Sequence, residues 1–275
     1  MPVTNYQSSP SFAARPALRP TLRPVWRALL LTVGLLAATV PTIDAAASPL
    51  SWLSGDRVQG SGNLTRQTRQ VDHFTGLALG MGGNVEVRLG AMEGVTVETD
   101  DNLQSLIETT VDNGTLRIRP LKRDMRLEPH ALRIVVQART MERLAVTGSG
   151  TVVADGLHGQ KLAFDVAGSG SILANRLDGE SVAVSLAGSG TLRAGGKADR
   201  LQVSVGGSGQ VQAGKLAARD VTASVSGSGQ AQVWAREALN VNVVGSGDIG
   251  YYGDPRLTTS VLGSGSVKRL GAAPQ

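Results

Sequence analysis

The chain has 275 residues, with 35 Gly, 11 Pro, 3% aromatic residues and a formal net charge of +5. Glycine at that density excludes a helical bundle, and an apolar content of 41% excludes a disordered polymer. The absence of Cys excludes disulfides, thiolate metal sites, cysteine nucleophiles and a lipid-modified N-terminal cysteine.

In chain order, Arg15, Arg19, Arg23 and Arg27 precede an apolar run from Ala28 to Val40, and Ala45, Ala46 and Ala47 follow it. A basic region, a short apolar region and small residues in this order predict a signal peptide over residues 1–47. Export to the periplasm, the outer cell surface or the medium is then expected. An uncleaved N-terminal anchor is the other reading of the same layout. The run is shorter than the about 20 apolar residues that span a bilayer, so no integral membrane span is expected after cleavage. Without residues 1–47 the chain carries 23 basic and 21 acidic side chains, a net charge of +2, and nucleic acid drops out as a partner.

Residues 48–57 read as a linker and residues 58–140 as an irregular β part of the molecule. Strand-like runs stand at residues 83–89, 95–99, 115–119 and 132–138. Residues 102–108 suit one helical turn acting as a cap, and Asp112-Asn113-Gly114 predicts a tight turn between two strands. Residues 122–128, followed by Pro129, read as a charged loop. Met81-Gly82-Gly83 stands where a corner of the later repeats would be expected.

From residue 141 to 271 the sequence repeats, and residues 272–275 form a tail. Gly-Ser-Gly begins at Gly148, Gly168, Gly188, Gly207, Gly227, Gly245 and Gly263, with spacings of 20, 20, 19, 20, 18 and 18 residues. Two residues before each first Gly stands Val146, Val166, Leu186, Val205, Val225, Val243 or Val261. Mostly apolar residues also occupy the positions four and six before it. The column three before it is short and polar in the later repeats: Asp165, Ser185, Ser204, Ser224, Asn242 and Ser260. This is period two, a strand with one buried and one exposed face. A second alternation follows each corner, from Val152, Ile172, Leu192, Val211, Ala231, Ile249 and Val267. Leu157, Leu177 and Leu216 suggest a third inward contact, with Lys197 occupying that column in one repeat.

A unit of 18 to 20 residues cannot close its own sheet, whereas coiling it stacks like residues about 4.8 Å apart and pairs every strand with the repeats on both sides. The expected fold is therefore all-β, a single-stranded parallel β-helix, right-handed, with rungs of 18–20 residues. A β-sandwich is the other architecture that short strands at regular spacing suit.

The motifs Gly60-Ser61-Gly62-Asn63, Arg69-Gln70-Val71-Asp72-His73-Phe74, Val95-Thr96-Val97-Glu98, Asp100-Asp101-Asn102-Leu103 and Asn113-Gly114-Thr115-Leu116, followed by the Gly-Ser-Gly array, carry a resemblance. From Val58 to about Gly271 the chain resembles the bacterial family called putative auto-transporter adhesin, head GIN domain. The resemblance implies an exported β-helical domain whose biochemical function is not established.

The chemistry-bearing motifs point away from catalysis. The glycines from Gly245 to Gly250 mimic a dinucleotide-binding pattern, but Tyr251-Tyr252-Gly253-Asp254-Pro255 forbids the helix that must follow. The glycine period does not match a calcium-binding nonapeptide array. His73, His130 and His158 are isolated in sequence, whereas a zinc site wants clustered ligands, so neither a metal nor a cofactor is expected. Glu180 and Asp199 fall in one column on neighbouring rungs, near the separation used by retaining glycosidases, with Arg200 and Arg219 alongside. Ser149, Ser169, Ser189, Ser208, Ser228, Ser246 and Ser264 lack a neighbouring base and suggest a hydroxyl ladder. Three Trp and three Tyr offer few rings for a sugar groove.

The expectation is an exported, non-enzymatic binding or structural module of the envelope or medium. Its partner would be a glycan or an envelope protein, met along the outer column Asp165, Ser185, Ser204, Ser224, Asn242 and Ser260. The alternative is a polysaccharide-cleaving β-helix enzyme.

Overall fold

A computed structural model describes residues 56–274. The signal peptide over residues 1–47, nearly all of the linker over residues 48–57 and Gln275 of the tail lie outside the described residues. The described residues form a β-solenoid of stacked parallel coils.

Its first strands are β1 (Arg57–Gln59), β2 (Leu64–Arg69), β3 (Gly76–Leu79), β4 (Asn84–Leu89) and β5 (Gly94–Asp100). A 3-10 helix, Asp101–Leu106, leads into β6 (Ile107–Asp112), β7 (Thr115–Pro120), β8 (Arg126–Glu128) and β9 (Arg133–Ala138). The expected strands and the tight turn form, and the helical turn expected over residues 102–108 forms at Asp101–Leu106, with residues 107–108 already in β6. Asn113 and Gly114 have φ of 48° and 69°, the positive pair that a two-residue hairpin between β6 and β7 requires. Residues 122–128 are not wholly a loop, because β8 pairs in parallel with β1.

The rungs of this part do not stack in sequence order. β3 lies between β7 and β10 (Arg143–Val146), and β4 lies between β9 and β11 (Thr151–Asp155), all in parallel. The coil made by β7 and β9 is thus the outer one, although it comes later in the chain than the coil made by β3 and β4. Beyond it, β6 runs antiparallel to β7, β5 antiparallel to β9 and β2 antiparallel to β5. Reversed strands close this end of the parallel stack, which blunts it as a template for another copy. Met81-Gly82-Gly83 serves as a corner directly beneath Gly148-Ser149-Gly150: Thr147 N–H donates to Leu79 O at 2.9 Å and Thr151 N–H to Gly83 O at 2.8 Å.

The regular part contains β12 (His158–Gly168), β13 (Ser171–Gly188), β14 (Thr191–Gly207), β15 (Gln210–Gly227), β16 (Gln230–Gly245), β17 (Asp248–Tyr252), β18 (Arg256–Gly263) and β19 (Ser266–Gly271). The long strands each run from one Gly-Ser-Gly corner to the next, bending at register shifts such as those after Ala174 and Arg193. Like residues pair as the repeat demands: Val166 with Leu186, Leu186 with Val205, Val205 with Val225. From Leu144 to Ile249 the buried apolar residues of the inward columns are at most 4% exposed and form one continuous core.

Two departures from the expected columns are informative. Gly196, not Lys197, pairs with Leu177 and Leu216. Lys197 sits opposite Asp178 and forms an ion pair with it at 3.0 Å. The rung is one residue short there, and glycine fills the inward position. In the last rung the inward column opens to solvent, with Leu257 42% and Val261 43% exposed, because no coil stacks on it among the described residues.

The corners hold by main chain. Ser189 N–H donates to Gly168 O, Ser208 N–H to Gly188 O and Ser228 N–H to Gly207 O, each at 3.0 Å. Among the described residues no hydroxyl-to-hydroxyl bond joins the corner serines, so the expected hydroxyl ladder is replaced by a main-chain one. Gly207 has φ +112°, and a Cβ there would stand 2.7 Å from Gly188 O, so the corner accepts only glycine.

Candidate functional site

The outer column expected from the repeat is in register. Asp165, Ser185, Ser204, Ser224, Asn242 and Ser260 are successive Cα partners on adjacent rungs. All are exposed except Ser224, which is half-buried. The parallel ladder thus sets one short polar group per coil in a line on the strand that precedes each corner. Ala163 and Ala183 flank its first two rungs on one side and Ala167 and Ala187 on the other, while at the far end the exposed Val244 and Leu262 stand beside Asn242 and Ser260.

The carboxylate pair does come together. Glu180 and Asp199 line one shallow groove of about 500 Å³ with Asp178, Lys197 and Arg236. Both carboxylates are exposed. Arg219 bonds to Asp220 at 3.1 Å, and that bond, with the charges of Asp220, Asp199 and Glu237, holds its guanidinium above the usual range. The groove is therefore a mixed-charge edge crossed by the Lys197–Asp178 pair.

The histidines remain apart. His73 Nδ1 lies 2.8 Å from Glu93, His130 Nδ1 lies 3.0 Å from Asp100, and His158 Nδ1 lies 3.3 Å from Gly156 O. Among the described residues no three His, Asp or Glu side chains converge as metal ligands would.

A second groove, of about 530 Å³, lies on the strand that follows the corner. Its lining includes Arg176, Arg193, Lys215, Gln212, Gln232 and Tyr252, over Gly195, Gly196 and Gly214. Arg193 pairs in register with Gln212, and Lys215 with Gly195, so β14 and β15 supply the two cations on adjacent rungs, offset by two residues along the strand. Arg176 is paired with Asp155 on both carboxylate oxygens. Among the described residues Arg193 and Lys215 have no ion-pair partner, and no acid lines the groove. The Tyr252 ring reaches back across the Gln232 rung, and a Cβ on Gly214 would stand 3.0 Å from its Cε2. The sequence did carry one signal of this site, since Gly195-Gly196 and Gly214 interrupt the alternation; that Tyr252 closes over Gly214 was not readable.

At the capped end the motifs carrying the family resemblance bind one another. Gly62 N–H donates to Asp100 Oδ1 at 2.7 Å, Ser61 N–H to Asn102 Oδ1 at 3.0 Å and Asn102 Nδ2 to Gln59 O at 2.8 Å. Ser61 Oγ donates to Asp101. A Cβ on Gly60 would collide with the Asp100 carboxyl group. Arg69 donates to the carbonyls of Gln104 and Ile107, tying β2 to the 3-10 helix and β6, and burial lowers its pKa. This cluster is a clasp that fastens the cap.

The fold recurs in solved structures. A putative adhesin from Bacteroides fragilis is 25% identical with a TM-score of 0.72, covering 78% of this chain and 100% of that one. A putative lipid binding protein from Parabacteroides distasonis is 26% identical with a TM-score of 0.67 and the same coverage of both chains. A putative adhesin from Parabacteroides merdae, 20% identical with a TM-score of 0.61, shares the fold over 78% of this chain and 100% of its own. No curated protein matches the chain. The family model described as putative auto-transporter adhesin, head GIN domain matches residues 73–255, which take in the β3–β4 coil, part of the cap and the Gly-Ser-Gly array as far as β17, and the chain belongs to that family.

Proposed function

We propose that the protein is an exported, non-enzymatic binding and structural module of the cell envelope or medium. Its comb of Asp165, Ser185, Ser204, Ser224, Asn242 and Ser260 meets a repeating polymer such as a glycan, or the face of an envelope protein. The observation that carries this reading is the register: six short polar side chains stand one per coil in a line on the outer face, backed by a filled interior. A spacing of about 4.8 Å per coil suits a partner that itself repeats, and short side chains lose little rotamer freedom on binding. Membership of an adhesin-type family and similarity to putative adhesins support the binding role. Among the described residues no helix is long and apolar enough to cross a membrane. A lipid, named for the Parabacteroides distasonis relative, would have to meet an outer face here, since the inward columns are closed.

The test is binding of the full chain to a panel of purified polysaccharides and to envelope fractions. Replacing Ser185, Ser204 and Ser224 together with Lys is expected to abolish binding while leaving the circular dichroism unchanged. Binding that survives the triple change refutes the comb. One observation favours a second reading, polysaccharide cleavage: Glu180 and Asp199 share a groove. Turnover of an acidic polysaccharide that Glu180→Gln abolishes would establish it.

A further inference from the structure

We propose that the groove over Gly195, Gly196 and Gly214 is a binding site for an acidic saccharide, with its anionic group held by Arg193 and Lys215 and its ring set beside Tyr252. The site lies on the strand after the corner, whereas the comb lies on the strand before it, so the two stand independently.

Three features argue for it. The groove is a product of side chains removed: glycines line it on two adjacent rungs, Gly195 and Gly196 on β14 and Gly214 on β15, where β13 carries Asn175 and Arg176 beside the register shift that Gly195 takes up. Its volume of about 530 Å³ lies within the range of small-ligand sites, roughly 300–1,000 Å³. Its charge is unbalanced. Asp155 neutralises its Arg176, yet among the described residues Arg193 and Lys215 have no ion-pair partner and border the same concavity, with no acid in its lining.

The chemistry of the lining selects the ligand class. A guanidinium offers a planar fork that suits a carboxylate or sulfate, and an ammonium adds a point charge beside it. Gln212 and Gln232 present amides that can donate to and accept from sugar hydroxyls. Tyr252 supplies an apolar face with a polar tip, the amphipathic surface that a sugar ring matches. A free phosphate or a simple carboxylate would use the cations but leave the ring and the amides unused, so a saccharide uses more of the site.

The test uses the full chain and defined probes: trigalacturonate for carboxylate, a heparin-derived tetrasaccharide for sulfate, and cellotriose as the neutral control, followed by calorimetry. At least one acidic probe is expected to bind saturably, about tenfold or more tighter than cellotriose, with affinity falling as salt rises. R193Q/K215Q, both exposed positions, is expected to weaken that binding about tenfold or more with an unchanged dichroism spectrum, and Tyr252→Ala to weaken it separately. The Ser185, Ser204 and Ser224 triple Lys variant is expected to leave it intact, which separates this site from the comb. Failure of both acidic probes to bind, equal binding of cellotriose, or unaltered binding by R193Q/K215Q each overturns the proposal.

Discussion

His130 closes on Asp100 through two of its own atoms, with its main-chain N–H 2.9 Å from Oδ2 and its Nδ1 3.0 Å from Oδ1. Asp100 has no exposed surface, and Gly62 N–H completes its shell at 2.7 Å. A carboxylate so enclosed is tolerated only because every one of these partners favours the ionised form.

Acid should therefore loosen the cap first. Burial pushes the Asp100 pKa up, and the N–H groups of Gly62 and His130, with the His130 imidazole, more than offset this and hold it below the usual carboxylate range. Asp101 is also lowered, by the Ser61 hydroxyl and then the Asn102 N–H. A depressed folded-state pKa contributes stability that is full above the unfolded value, near about 4, and is lost as pH falls through the folded one. Melting temperature is expected to drop steeply below about pH 4. In Asp100→Asn it should be lower at pH 7 and flatter with pH; an identical pH profile in the variant would remove Asp100 as the cause.

The register of the inward column can be checked by a pair of neighbours. Val205 is 1% exposed and Ser204 is exposed. Val205→Asp buries an unpaired carboxylate and should cost several kcal/mol, on the order of 3 or more, while Ser204→Asp should stay within about 0.5 kcal/mol. Equal melting shifts for the two variants would refute the assignment of faces.

The same column gives a different outcome at the open end. Val261 occupies the position of Val205 in the repeat but is 43% exposed. Val261→Asp is expected to cost about 1 kcal/mol or less, because its carboxylate stays hydrated. Denaturant titration of both variants compares them directly, and a Val261→Asp cost matching that of Val205→Asp would mean the last coil is covered in solution.

Adjacent glycines should also part company. A Cβ on Gly206 would meet nothing nearer than Leu186 O at 3.9 Å, whereas Gly207 has φ +112° and faces Gly188 O. Gly206→Ala should be neutral within about 0.5 kcal/mol, and Gly207→Ala should cost at least about 1–3 kcal/mol. Chemical denaturation reads the difference, and equal costs would refute the corner geometry.

Terminal sequencing of exported material checks the leader. The expected first residue lies near Ser48, and retention of Met1 in the exported protein would favour an uncleaved anchor instead.

What could be read in advance was what repeats. Parallel stacking returns Val166, Leu186, Val205 and Val225 to one environment, so a fixed spacing in sequence becomes a column in space. The comb and the corners were legible for the same reason. The order of the first coils was not, because nothing local in β7 or β9 records that they pair outside β3 and β4. Nor was the clasp, whose partners Gly62 and Asp100 are 38 residues apart and whose Asp100 and His130 are 30 apart. The basic groove depends on Tyr252 reaching across an intervening rung to Gly214, a relation that alternation cannot encode.

Between Gly188 and Gly245 each coil pairs only with the one before and the one after. Length in this segment is consequently a free variable. Excising one whole repeat, cut at equivalent glycines, would bring Val to Val and corner to corner, shortening the molecule by about 4.8 Å and leaving the clasp untouched. Removing a single residue between a bend and the next corner instead would turn the side chains on one side of the gap over, placing serines in the core and valines in water, whereas at the bend itself the rung of Gly196 takes up a one-residue deficit. Such a molecule can be shortened or extended in whole steps, as a ruler is, and the graduation of that ruler is the Gly-Ser-Gly corner.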